Sequence, residues 1–226
     1  LGIILIFFTV IFANIFEVIY MKKSKIKRYV YLILMLLKYL SIWPAAYFMR
    51  LNDKNKNILL VSERGMDARD NAYHLINYIW DKHPEIIAYF VISKNSPDRE
   101  KLKNKGYIIE YRSLKHYLYF WISDVKISTH IMGYSPDAAL FNKLDNFGLV
   151  RGKKIFLQHG ITKDYIAELT YPNINLDLFV CGAKPEFEYV KLKYNFPSNV
   201  VKYLGMARFD ALYDINIKKQ IIIMPT

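Results

Sequence analysis

From Asn57 onward the chain alternates short β-rich runs with helical stretches, and this alternation limits the fold more than any other feature. The strand-like runs are Ile58–Ser62, Ile87–Ile92, Tyr107–Glu110, Val125–Thr129, Lys154–Leu157, Leu178–Cys181 and Val200–Leu204. Helical stretches lie between them near Asn71–Asp81, Pro97–Lys105, Leu114–Ser123 and Pro185–Tyr194. Strands that alternate with helices build βαβ units around a parallel sheet covered on both faces. Right-handed crossovers then give an α/β, Rossmann-like layered domain. About 155 residues are enough for one such core. There are no internal repeats and no low-complexity linker.

The first fifty residues have a different character. Leu1 to Tyr20 is almost wholly apolar, with Asn14 and Glu17 as the strongly polar exceptions. Roughly 20 such residues can cross a bilayer as a helix. The basic cluster Met21-Lys22-Lys23-Ser24-Lys25-Ile26-Lys27-Arg28 follows and marks the cytoplasmic side by the positive-inside rule. Its position after the apolar run, with no small-residue cleavage site, argues against a signal peptide. Tyr29 to Met49 is rich in Leu, Tyr and Ile but carries Lys38 and Pro44. It reads as a helix lying in the interface, with a second span as the alternative. The formal net charge of +12 asks for an anionic partner. The basic cluster beside apolar segments selects anionic membrane lipid. No RNP-type motif, zinc-finger pattern or helix-turn-helix signal appears, so nucleic acid is not an expected partner. Cys181 is the one cysteine, which excludes an intrachain disulfide. The expected organisation is a membrane-associating segment over 1–52, a Rossmann-like domain over 53–217, and the start of a second domain over 218–226. The last reading rests on the apolar run Ile221 to Met224, which would be a strand without a neighbour.

The chemistry-bearing residues cluster at predicted strand ends, where open α/β sheets bind ligands. After Ile155 to Leu157 come Gln158, His159 and Gly160, with Lys163 a few residues on. A histidine there, before a glycine that lets a substrate approach the backbone, suits acid–base chemistry. The alternative is a histidine that only bonds a loop. Ser62-Glu63-Arg64-Gly65-Met66-Asp67-Ala68-Arg69-Asp70-Asn71 precedes a helix capped by Asp70 or Asn71. Such a loop can hold an anion on backbone N–H groups with Arg64 or Arg69 assisting, or can be self-paired and solvated. His130 ends the fourth run and either lines the same mouth or is structural. Pro185 suits the first turn of a helix. Arg208 and Asp210 either pair locally or hold a junction to a further domain.

These motifs, in this order, resemble the CDP-glycerol glycerophosphotransferase family of teichoic acid and capsule biosynthesis. The residues that carry the resemblance are Ser62 to Gly65 with Asp67 to Asn71, Ile127 to His130, Gln158 to Lys163, and Gly205 with Ala207 to Asp210. The resemblance covers Asn57 to Thr226 and implies the amino-terminal, acceptor-side half of a GT-B fold. It implies transfer of glycerol phosphate from CDP-glycerol to a hydroxyl of a lipid-linked glycerophosphate-type acceptor, with release of CMP. His159 matches the family's base. Arg64, Gly65, Asp67, Arg69, His130, Gln158, Gly160, Lys163 and Arg208 are the expected substrate-binding residues. No cofactor and no metal are expected, so basic side chains and helix amino ends must neutralise the phosphates. The chain opens on leucine and stops where the family continues into its donor domain, so it is expected to be a fragment, inactive alone. The competing functions are a sugar-nucleotide glycosyltransferase on the same fold and a non-catalytic, membrane-bound acceptor-binding module. The location implied is the cytoplasmic face of the cell membrane.

Overall fold

A computed structural model describes residues 25–52, 56–103, 105–213 and 223. The apolar run Leu1 to Tyr20, the first half of the basic cluster, and nearly all of 218–226 lie outside the described residues. The elements are α1 (Lys25–Arg50), β1 (Leu59–Ser62), α2 (Asn71–Lys82), β2 (Ala88–Ile92), β3 (Tyr107–Glu110), α3 (Leu114–Ile122), β4 (Val125–Ser128), α4 (Ala138–Asn146), β5 (Lys153–Phe156), β6 (Leu178–Cys181), α5 (Lys184–Lys193) and β7 (Val201–Tyr203). Seven strands form one sheet in the order β3-β2-β1-β4-β5-β6-β7. Every neighbouring pair is parallel. The Rossmann-like α/β layering read from the alternation is therefore the observed fold.

Each predicted strand run becomes a strand, displaced by a residue or so at its ends. Two helices differ. The stretch near Pro97–Lys105 is only a 3-10 turn, Arg99–Leu102, because Leu102 is its one buried apolar anchor. A helix needs a longer apolar stripe to stay on a core. Conversely, α4 was not expected. Asp137 caps it by accepting from the Leu140 N–H at 3.0 Å, and Phe141 is fully buried. Nine residues bounded by Gly148 gave too short a periodicity to register.

α1 is long and apolar enough to cross a membrane by length and composition. It is nevertheless built into the core. Met35, Tyr39, Ile42 and Ala46 recur at helical spacing and are buried against α3 and α4. The Tyr39 ring stacks on Trp121 at 4.4 Å and meets the Phe141 ring edge-on at 4.9 Å. The Tyr39 hydroxyl donates to the Leu149 carbonyl, and Trp121 Nε1 donates to the Tyr39 carbonyl. Ion pairs hold both ends: Arg28 with Asp137, and Arg50 with Asp124, each at 3.0 Å. The segment thus does not stand apart from the sheet domain in packing. The side away from the core is also apolar: Ile33, Leu37, Leu40, Trp43, Tyr47 and Phe48 are exposed.

Candidate active site at the carboxyl ends of the strands

The sheet order reverses direction on either side of β1, between β1 and β4. In doubly wound sheets the crevice opens at the carboxyl ends of those two strands. Loops 62–71, 128–137 and 157–166 all leave the sheet there. They meet closely: a Cβ on Gly133 would lie 1.8 Å from the Glu63 carbonyl oxygen, so only glycine fits.

β4 and β5 are neighbours in register, so the residues just past their ends come together. The His130 and His159 rings stack face to face, 4.5 Å between centroids and 5° from parallel. His159 Nδ1 is 3.3 Å from the Thr129 carbonyl oxygen. A carbonyl can only accept, so Nδ1 carries a proton, and in the neutral ring the lone pair is on Nε2. The His159 side chain is exposed, while His130 is half-buried. Burial, then His159 and Arg64 nearby, push the His130 imidazole below its usual value. Thr129 Oγ1 lies 3.1 Å from His130 Nδ1, and Ser128 donates to the His130 carbonyl at 2.6 Å.

Gln158 is buried and holds φ at +62°, a left-handed conformation uncommon outside glycine. Its carbonyl accepts from Asn71 Nδ2 at 2.8 Å. Its side-chain amide donates to Thr162 Oγ1 and to Glu186. Gly160 has open space where a side chain would project, which leaves its backbone approachable. Lys163 is exposed and has no ion pair among the described residues.

The 62–71 loop holds an internal anion. The Glu63 carboxylate is buried and accepts from the backbone N–H groups of Arg69, Asp70 and Tyr73. These N–H groups at the start of α2 are the seat that the sequence reading offered to a ligand. Burial raises the Glu63 carboxyl from its ordinary range, against those hydrogen bonds. Arg64 pairs with Asp67 at 2.5 Å, and Arg69 spans Asp67 at 2.6 Å and Asp98 at 3.3 Å. Both guanidinium side chains remain about three-fifths exposed, 61% and 62%, so an anion in the mouth can still reach them. Gly65, at φ +83°, turns the loop against the Tyr111 ring.

Arg208 joins these pieces, and its partner is not Asp210. Its guanidinium pairs with Asp70 at 2.7 Å and donates to the His159 carbonyl at 2.8 Å. Its backbone N–H donates to Asn71 Oδ1 at 3.1 Å. The mouth therefore gathers His130, Gln158, His159, Gly160 and Arg208, with Arg64, Gly65, Asp67 and Arg69 on the adjoining loop. Thr129, Asp70, Asn71 and Glu186 complete it, and none was among the expected site residues. Asp70 and Asn71 were legible as helix caps and as part of a family motif, but not as partners of Arg208 and Gln158. The Cys181 thiol is buried and pushed up to about 12, so it offers no nucleophile. No group of three metal-ligating side chains occurs among the described residues.

Residues 45–223 match the family described as CDP-glycerol:poly(glycerophosphate) glycerophosphotransferase. The chain belongs to that family. Every residue of the mouth falls inside the matched span of this glycerophosphotransferase-family chain, whereas most of α1 precedes it. The minor teichoic acid biosynthesis protein GgaB of Bacillus subtilis (strain 168) is 36% identical over 178 residues, 76% of this chain and 19% of GgaB. The fold is similar to that of the wall teichoic acid polymerase TagF. A TagF variant soaked with CDPG aligns with a TM-score of 0.55 at 15% identity, over 83% of this chain and 48% of that one. TagF itself aligns with a TM-score of 0.52 at 15% identity, over 81% and 47%. The chain thus spans about half of TagF and about a fifth of GgaB.

Proposed function

We propose that this domain is the acceptor-facing part of an enzyme that transfers glycerol phosphate from CDP-glycerol to a hydroxyl of a membrane-linked, teichoic-acid-like or capsular acceptor. The observation that carries the reading is the Thr129 carbonyl against His159 Nδ1, which leaves Nε2 free to accept a proton at an exposed position. The acceptor hydroxyl gives its proton to His159 Nε2 while its oxygen attacks the glycerol-bearing phosphorus. The bond from that phosphorus to the bridging oxygen breaks, and CMP leaves with the electron pair. Negative charge is spread over the phosphoryl oxygens throughout, so positioned cations matter more than covalent help. Arg64, Arg69 and Arg208 supply positive charge at this mouth, and Lys163, exposed a few residues beyond His159, is a further candidate. The similarity to a teichoic acid biosynthesis protein, with the exposed apolar side of α1, supports attachment to the membrane surface, which would bring a lipid-linked acceptor within reach of the domain.

CMP release by the complete protein, given CDP-glycerol and a lipid-linked glycerophosphate acceptor, tests this. Release should need both substrates, and His159→Ala should lower turnover by about 10²–10⁴-fold. Release of a nucleotide from a sugar nucleotide instead would identify a glycosyltransferase. No release from either donor would leave an acceptor-binding module.

A further inference from the structure

Glu186 is the third residue of α5, and its side chain is buried. Three N–H donors converge on its two carboxylate oxygens. Oε2 accepts from the Gly182 backbone at 2.7 Å. Oε1 accepts from the Thr162 backbone at 2.6 Å and from Gln158 Nε2 at 3.2 Å. The first bond is local to the turn before α5, as expected of an acidic residue in a first helical turn. The other two are not local. They grip both ends of the five-residue loop 158–162, whose tip is His159 and Gly160. Gln158, which holds its left-handed backbone against intrinsic preference, is one of the two grips.

We propose that Glu186 is the positioning residue for His159, clamping the 158–162 loop so that the ring meets both the Thr129 carbonyl and the His130 ring. This rests on the reading of His159 as the base. A glutamine weakens the clamp in either orientation. Its one oxygen can face Thr162 and Gln158, which turns its amide on the Gly182 N–H, or it can face Gly182, which turns the amide on both loop donors. Hydrogen bonds to a charged acceptor are the strong ones, so loss of the charge loosens the loop even where the oxygen stays in place.

The test has two arms. Backbone amide exchange of the full chain reads the clamp without activity. Glu186→Gln should speed exchange across residues 158–163 by about 10-fold or more, with the α2 and β1 amides unchanged. A role confined to capping α5 would change only residues 182–187, and that result would overturn the proposal. Glu186→Asp, which keeps the charge on a shorter stem, serves if the glutamine variant fails to fold and should show the same localised loosening. The second arm is kinetic, in the complete protein. Glu186→Gln should lower kcat by about 10–100-fold with little change in KM. In a His159→Ala background it should add almost nothing, because a residue that acts through His159 loses its effect with it. The same fold-loss in both backgrounds would overturn the proposal while leaving His159 as base. An unaffected His159→Ala enzyme would remove the base reading alone, and the exchange arm would still decide the clamp.

Discussion

At the residue scale the mouth separates two kinds of histidine. His116 is fully buried and satisfied on both nitrogens: Nδ1 accepts from the Arg112 N–H at 3.0 Å and Nε2 donates to the Tyr134 carbonyl at 2.8 Å. Burial pushes its imidazole down to about 4. The folded state therefore binds fewer protons than the unfolded one between pH 6.5 and 4. Its contribution is fully present above pH 6.5 and is lost as pH falls towards 4, about 1.4 kcal/mol for each unit. His116→Gln should flatten that part of the acid stability curve. Urea midpoints at several pH values for parent and variant check it, and identical pH dependence would contradict it. His130 and His159 differ by facing the mouth. His130→Ala removes only the stacked neighbour, so its loss of turnover should be smaller than that of His159→Ala. A larger loss at His130 would move the base to the end of β4. Arg208→Ala should cut turnover by about 10-fold or more, since it frees Asp70 and the His159 carbonyl together. His159, Gln158 and Arg208 were legible because each sits in a short motif just beyond a strand. Their supports were not. Asn71 lies 87 residues before Gln158, and Glu186 lies 28 after it. Nothing in a local pattern reports a hydrogen bond over such separations.

At the element scale the strands were legible for a simple reason. A strand buried on both faces is a short apolar run, and β1, β2, β4 and β6 are nearly that. Short helices depend on one or two anchors, so Arg99–Leu102 was overestimated and α4 was missed. α1 was legible as a helix but not as part of the core. Its composition is apolar on every side, and the burial of Met35, Tyr39, Ile42 and Ala46 shows which side faces the protein. The remaining side is the one available to lipid. Replacing Trp43, Tyr47 and Phe48 together by serine should weaken binding to phosphatidylglycerol vesicles by about 10-fold or more. Thermal stability should change little, because these side chains are exposed. Unchanged sedimentation with vesicles would show that lipid attachment lies elsewhere in the chain.

At the scale of the whole molecule, a reader of the sequence would cut the chain near Asn57, where the alternation begins, and expect a soluble α/β domain. The packing argues otherwise. Removing residues 1–52 strips Met35, Tyr39 and Ile42 from the cluster that also holds Tyr117, Phe120 and Phe141, and Ala46 from a second cluster with Ile58 and Ile122. Each large apolar side chain buried contributes about 1.5–3 kcal/mol, so the three largest together contribute roughly 5 kcal/mol or more. Domains of this size are stable by only about 5–15 kcal/mol. The ion pair of Arg50 with Asp124 and the Arg50 hydrogen bond to the Ile122 carbonyl go as well. The truncated chain should therefore aggregate, or bind a hydrophobic dye and unfold without a sharp transition. Removing residues 1–24 alone leaves α1 in place and should preserve cooperative unfolding in detergent. The two truncations differ by one helix, so comparing their thermal transitions isolates its contribution. A monomeric 53–226 chain with a sharp transition would show that the sheet and its remaining helices form a complete core, and that α1 is an attachment laid upon it.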